Sequence, residues 1–160
     1  MGMIKLEGDF SPVEIRGYSL NSTKTCYEYG VVATGSKHKI IAIGKEAYRY
    51  IDAVESTTMG DISIYSTFKR NVIAEYQETS EVIKLMFRDI LTGIKCKIFK
   101  PTVAVCVPFE LTGVEIKAFH EVFMMAGAKH TTILDCDFEE NKIKLANKYP
   151  IVFGIIPNEL

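Results

Sequence analysis

The chain has no long apolar run. Its longest, "TVAVCVPF", falls far short of the ~20 residues that a bilayer span requires, and the opening "MGMIKLEGDF" lacks the apolar core of a signal peptide. A cytoplasmic location without a transmembrane segment is the expectation. The chain also has no excess of either charge: the net value is −1, with Lys and Glu interspersed, so no continuous basic face is available for a phosphate backbone. Nucleic acid is excluded as the expected partner. Four cysteines, Cys26, Cys96, Cys106 and Cys136, are widely spread without a C-x-x-C pair, and the three histidines, His38, His120 and His130, show no metal-ligand spacing. No metal site is expected from them, and buried free thiols are the expected state. An N-S-T sequon at Asn21 matters only in a secreted protein. There is no internal repeat, low-complexity tract or linker-like stretch, and the five prolines are scattered.

What is present is a chain of 160 residues, 48% hydrophobic and 24% charged, enough to bury a core and of a length typical of one domain. The first third alternates in short runs, "MIKLEG", "PVEIRGYS", "YEYGVVATG" and "HKIIAIG", separated by turn residues. This predicts an antiparallel meander. After Gly44 the period changes: Ala47, Ile51 and Val54 predict a helix of about three turns. "DISIY" and "NVIAEY" predict strands. A second helix is then expected from Thr79, capped by its hydroxyl, with Val82, Met86 and Ile90 on one stripe, Ile83, Phe87 and Leu91 beside it, and Gly93 as its stop.

The most informative stretch is residues 100–135. "TVAVCV" is apolar on both faces, as expected of a central strand covered on both sides, and is placed in the middle of the sheet. Thr112 and Glu115 stand at capping-box spacing, Val114, Ala118, Val122 and Met125 form a stripe widened by Phe119, Phe123 and Ala126, and Gly127 suits a left-handed cap. Together these predict a helix from 113 to 126. "HTTILDCD" follows as a strand parallel to the first, and a short helix in "EENKIKLANK" and a strand in "PIVFGII" complete the pattern. The expected fold class is α/β: a mixed sheet with helices on its faces.

Several segments resemble the actin-like ATPase superfamily, most of all the first domain of the bacterial MreB proteins. "YEYGVVATGSKHKIIAIGKEAYRYI" is similar to the family's strand pair and its V-G-x-x-A helix start, here Ile43, Gly44, Lys45, Glu46 and Ala47. "DISIYSTFKRNVIAEYQETSEVIKLMF" looks like the following strand and helix, and "KPTVAVCVPFELTGVEIKAFHEVFMMAGAKHTTIL" resembles the V-V-V-C-V-P-x-x-x-T-x-V-E-x-x-A segment and its A-G-A. The likeness runs over about residues 28 to 138. It implies a single ribonuclease-H-like domain over residues 1–160, with about 45–78 as a small subdomain insertion, truncated relative to the two-domain family and degenerate in its loops.

The resemblance also says where ATP chemistry would sit. The family's first phosphate hairpin is D-x-G-T; here it would have to be "IKLEGDFSPVEI", with Lys5 in the place of the Asp and Leu6, Glu7 and Gly8 following, and no register yields D-x-G-[TS] in the first 30 residues. The family's second loop, D-x-G-G-G-T, has no Gly-rich counterpart after "PIVFGII". Glu115 matches the family glutamate associated with positioning the attacking water, yet it equally suits the helix cap. Asp135, Asp137, Glu139 and Glu140 are open to two readings, a divalent-ion site or a solvated helix start. "STFKRN", around Phe68, reads as a partner-contact loop or as a merely solvated one. The expectation is therefore a non-catalytic MreB-like interaction or cytoskeleton-associated module without cofactor, acting with a protein partner or as a homo-oligomer. The alternative is an ATPase half-protein using ATP and Mg, completed by dimerisation or by a separate second domain.

Overall fold

A strand buried on both faces needs neighbours above and below, and the third quarter of the chain supplies them. The computed structural model describes residues 4–6, 13–20, 25–50, 61–91 and 100–157. Strand β1 is Ile4–Leu6, β2 Glu14–Tyr18, β3 Cys26–Tyr29, β4 Val31–Thr34 and β5 Ile40–Ile43; helix α1 is Lys45–Arg49. Then come β6 Ile62–Ser66, β7 Phe68–Lys69, β8 Val72–Ile73, helix α2 Tyr76–Ile90, β9 Thr102–Cys106, helix α3 Gly113–Ala126, β10 His130–Leu134, helix α4 Phe138–Ala146 and β11 Ile151–Ile156.

Five strands form one sheet in the order β10-β9-β11-β2-β3, with β10, β9 and β11 mutually parallel and β2 and β3 antiparallel. On β9, Val103 and Val105 belong to the cluster shared with α2 and α3, whereas Ala104 and Cys106 belong to the one shared with α4. β9 is covered on both faces as expected, but it lies one place from the expected middle of the sheet, which β11 holds by pairing with both β9 and β2. Phe153 of β11 packs between Phe87 of α2 and Phe123 of α3, at ring-centroid distances of 5.3 and 5.0 Å.

The expected meander is divided between two sheets. β2 and β3 pair in the large sheet, but the chain crosses at Gly30, and β4 and β5 pair in a four-stranded sheet of order β1-β6-β4-β5. Gly30 is tied on both sides of the crossing: its N–H donates to the Val13 carbonyl at 2.8 Å and its own carbonyl accepts from Thr67 N–H at 2.8 Å. The small sheet thus takes strands from residues 4–6, 31–43 and 62–66. Its separate apolar cluster comprises Val31, Ala33, Ala47, Ile62 and Ile64.

Helix α2 starts at Tyr76, one turn before the expected Thr79. Thr67 explains the difference, because its carbonyl accepts the N–H groups of Ala74 and Glu75 and anchors the helix entry there. The Thr79 hydroxyl then donates back to the Glu75 carbonyl at 2.6 Å instead of capping. "NVIAEY" accordingly yields only β8 before the helix. α1 is described as far as Arg49, and the rest of its expected three turns, together with Gly93, lies outside the described residues. In α3 the expected limits and the capping box are both present, but Val114 is 77% exposed and Met125 is exposed. The buried stripe is Ala118, Phe119, Val122, Phe123 and Ala126. The Phe68 segment is a hairpin, β7 with β8, turned by Arg70 and Asn71 at positive φ, and Phe68, 5% exposed, points into the core towards Phe119 and so is not an exposed anchor.

Two close approaches hold the parts together. A Cβ on Gly154 would lie 2.4 Å from Phe138 Cβ, so only glycine lets α4 seat on β11. Glu28 of β3, 5% exposed, has a carboxylate that accepts the Lys45 N–H at 2.7 Å, and Gly44, at φ +64°, leaves room for it. Burial foremost raises the Glu28 pKa above the ordinary 4.5, while the Lys45 N–H and the Lys45 charge oppose the rise.

Two outcomes are expected in chemical denaturation. Gly154→Ala costs about 1–3 kcal/mol by overpacking and Phe138→Ala about 3–5 kcal/mol by truncation, while the double variant costs measurably less than their sum because the clash needs both side chains. For Glu28, the raised folded pKa means that the native state holds the proton more tightly than the unfolded chain does. The stability this contributes is fully present below the ordinary value and fades as pH rises through the folded one. Glu28→Gln cannot titrate and still accepts the Lys45 N–H, so its stability relative to the parent should improve from about pH 4 to about pH 7; an unchanged difference would refute the buried-carboxylate account.

Candidate functional site

In an open α/β sheet, ligands gather outside the carboxyl ends of the parallel strands. Here those ends are Cys106 of β9, Leu134 of β10 and Ile156 of β11, and the segments leaving β9 and β10 carry most of the polar residues that the sequence singled out.

Glu115 lies one turn into α3, where the chain leaving β9 is brought round by Thr112. Its carboxylate accepts the Thr112 N–H at 2.8 Å, and Glu115 N–H donates to the Thr112 hydroxyl at 3.2 Å. Both halves of the capping box are made, satisfying two amides that the helix start would otherwise leave unpaired. The carboxylate is thus engaged at its own helix terminus.

The four acids after β10 do not converge on a common point. Asp137 caps α4 by accepting the Glu140 N–H at 3.0 Å. Glu139 turns to Lys142 at 2.9 Å and to Arg16 of β2 at 2.8 Å, and these cations, Lys142 foremost, hold its carboxyl below the ordinary range. Arg16 is also paired with Glu14 on its own strand. Asp135 and Glu140 are exposed. Among the described residues no three of His, Cys, Asp and Glu are grouped to hold a metal ion. Of the two readings open for these acids, the geometry is that of a helix start, with Glu139 and Glu140 in the first turn.

Of the residues named for the phosphate hairpin, Lys5 and Leu6 are described: they lie in β1, which pairs in parallel with β6 of the small sheet, at Lys5↔Ser63 and Leu6↔Ile64, and among the described residues makes no ladder with β2. Glu7 and Gly8 lie outside the described residues. The place beside β2 belongs to β11, in register at Ile155↔Ile15 and Gly154↔Arg16. At the carboxyl end of this central strand stand Ile155, Ile156 and Pro157, whose side chains carry no polar atom.

Two groupings were hidden in the sequence. Cys106 and Cys136, distant along the chain, meet where β9 and β10 end, and the Cys106 thiol is pushed far up, by burial first and then by its hydrogen bond with Cys136. Cys96 lies outside the described residues, and Cys26, Cys106 and Cys136 are free thiols. Glu28 was the other, and its only signal was a carboxylate amid the apolar alternation of "YEYGVV".

Against known proteins, residues 13–139 match the family model described as MreB/Mbl protein. The cell shape-determining protein Mbl of Bacillus subtilis (strain 168) is 32% identical over 92 residues, 58% of this chain and 26% of that protein. Mbl of Bacillus cereus (strain ATCC 10987 / NRS 248) is 30% identical over 105 residues, 66% of this chain and 28% of that one. The chain therefore spans about a quarter of the length of these relatives. Among solved structures, MreB5 of Spiroplasma citri bound to ADP superposes with a TM-score of 0.58 at 18% identity, over 82% of this chain and 37% of that one. The same protein bound to AMPPNP superposes with a TM-score of 0.51 at 19% identity, over 81% and 37%. These superpositions extend the sequence likeness to the fold, a mixed sheet flanked by helices, and with the family match over residues 13–139 the chain belongs to the MreB/Mbl protein family.

Proposed function

We propose that this chain is a non-catalytic, MreB-like interaction module that works in the cytoplasm, in association with a cytoskeletal assembly of the cell-shape type named for its relatives. The observation that carries the reading is the identity of the central strand. By the resemblance, the neighbour of β2 should carry an acidic, glycine-containing phosphate turn; here that neighbour is β11, which ends in Ile155, Ile156 and Pro157. Glu115, the residue with the best claim to catalysis, is engaged in its helix cap. A module of this kind acts through its surfaces, with a filament protein or a second copy as partner.

One observation favours the ATPase reading, namely that Glu115 stands at the matched position of the family segment at the carboxyl end of β9, on a fold like that of a nucleotide-bound protein. In that case a second chain would complete the crevice, with ATP and Mg bound between the two.

Calorimetric titration of the purified chain with Mg-ATP separates the readings: no heat of binding is expected, and a micromolar dissociation constant would sink the non-catalytic one. Substitutions at the cap give a second comparison. Thr112→Ala should cost about 1 kcal/mol of stability as a lost N-cap, and Glu115→Gln less than about 0.5 kcal/mol, because Gln also serves at the third helical position. Under the proposal neither change alters ATP turnover, whereas turnover abolished by Glu115→Gln alone would establish the catalytic alternative.

A further inference from the structure

The small sheet ends at β5, which pairs with β4 and, among the described strands, with nothing on its other side. The direction of its backbone follows from two observations. Gly44 N–H donates to the Val31 carbonyl, and Ala42 stands opposite Ala33, so by antiparallel alternation both residues face β4 and Ile43 between them turns its N–H and C=O outward. Beside this free edge is a groove of about 350 Å³ lined by Ile40, Ile41, Ala42 and Ile43 and, from α2, by Gln77 and Glu81. Ile40 is 38% exposed. An edge with outward backbone groups, a floor of isoleucines and a wall from a helix has the shape and chemistry of a slot for an extended peptide.

The charges at the slot select among occupants. Glu81 is already paired with Lys84 at 3.2 Å and accepts from Gln77 at 3.2 Å. Lys37 and Lys39, exposed on the turn that leads into β5, have no ion pair among the described residues. Lysines beside an open strand are a known protection of sheet edges against like strands, and the same lysines attract an acidic strand. Both neighbouring ladders of this sheet, β5 with β4 and β4 with β6, are antiparallel. A strand added in the same sense would lay its carboxyl end beside Lys39.

We infer that the open edge of β5 is a docking site for an extended segment of a partner protein, apolar at alternate positions and acidic at its carboxyl end, added to the small sheet as an antiparallel fifth strand. This deepens the interaction-module reading and rests on it, yet the two fail separately: Mg-ATP binding would sink the module and leave the edge intact, while loss of peptide binding would sink the edge and leave other surfaces to the module.

The test uses a fluorescein-labelled peptide, Val-Thr-Val-Thr-Val-Asp-Asp, titrated with the full chain and followed by anisotropy, with amide exchange at Ile43 as the second readout. Saturable binding and slowed exchange at Ile43 are expected, and the reversed peptide, Asp-Asp-Val-Thr-Val-Thr-Val, should bind more weakly. Methylation of alternate peptide nitrogens should abolish binding without touching the protein. Lys37→Glu combined with Lys39→Glu, both at exposed positions, should weaken binding about three- to tenfold. Equal binding by the N-methylated peptide, unchanged exchange at Ile43 under saturation, or absence of binding altogether would overturn the proposal. So would protection of Ile43 that grows with protein concentration alone, which would identify a second copy as the occupant.

Discussion

The structure depends on one strand having two kinds of neighbour. β11 is parallel to β9 on one side and antiparallel to β2 on the other, and no other strand joins the parallel half of the large sheet to its antiparallel half. Its side chains serve both layers: Ile151, Phe153 and Ile155 enter the core under α2 and α3, and Val152 joins Phe138 and Ala146 of α4. Gly154 completes the seat by admitting the Phe138 ring, so the α4 layer and the central ladder are set by the same few residues. Each buried aromatic or branched side chain here is worth about 1.5–3 kcal/mol of burial, comparable with a sizeable part of a domain's net stability.

The small sheet is attached both through the chain and through packing, since Ile43 of β5 lies against the main core and Tyr29 of β3 against the small-sheet cluster. The crossing at Gly30 is bonded to Val13 and Thr67, and Glu28 reaches from the large sheet to the first turn of α1. Tyr29 and Tyr48 stack at 4.9 Å across the same junction. A buried carboxylate is a costly connector unless something accepts its charge, and here a backbone amide and the Lys45 cation do so. The two sheets are thus joined by polar contacts as well as by packing.

The parts that could be read in advance are those whose cause is local. Thr112, Glu115 and Gly127 delimit α3 because caps act within one turn, and the doubly apolar run of β9 declares its two covered faces. What could not be read was decided by distant partners. Thr79 has the chemistry of a cap, but the carbonyl of Thr67 starts the helix earlier. Phe68 sits among polar neighbours in sequence, and only the β7–β8 hairpin turns it inward. The division of the meander at Gly30 leaves both hairpins intact and changes only the sheet to which each belongs, so strand alternation carries no trace of it. At the candidate site, Glu115 and the acids after β10 were identified as polar residues at strand ends, but their engagement in caps and ion pairs depends on geometry that spacing alone leaves open.

The exchange of strands at the centre bears directly on chemistry. Strand ends at the middle of an α/β sheet are where oriented backbone and acidic side chains can meet a ligand from several directions at once. Ile155 and Ile156 place buried and half-buried apolar side chains there and add to the core. The acids that remain nearby are drawn into stabilising α3, α4 and the Arg16 contact. Among the described strands, outward backbone groups are left on those that end a sheet. The outward backbone groups of Ile43 on β5 are of this kind, and they lie beside the groove that Gln77 and Glu81 wall.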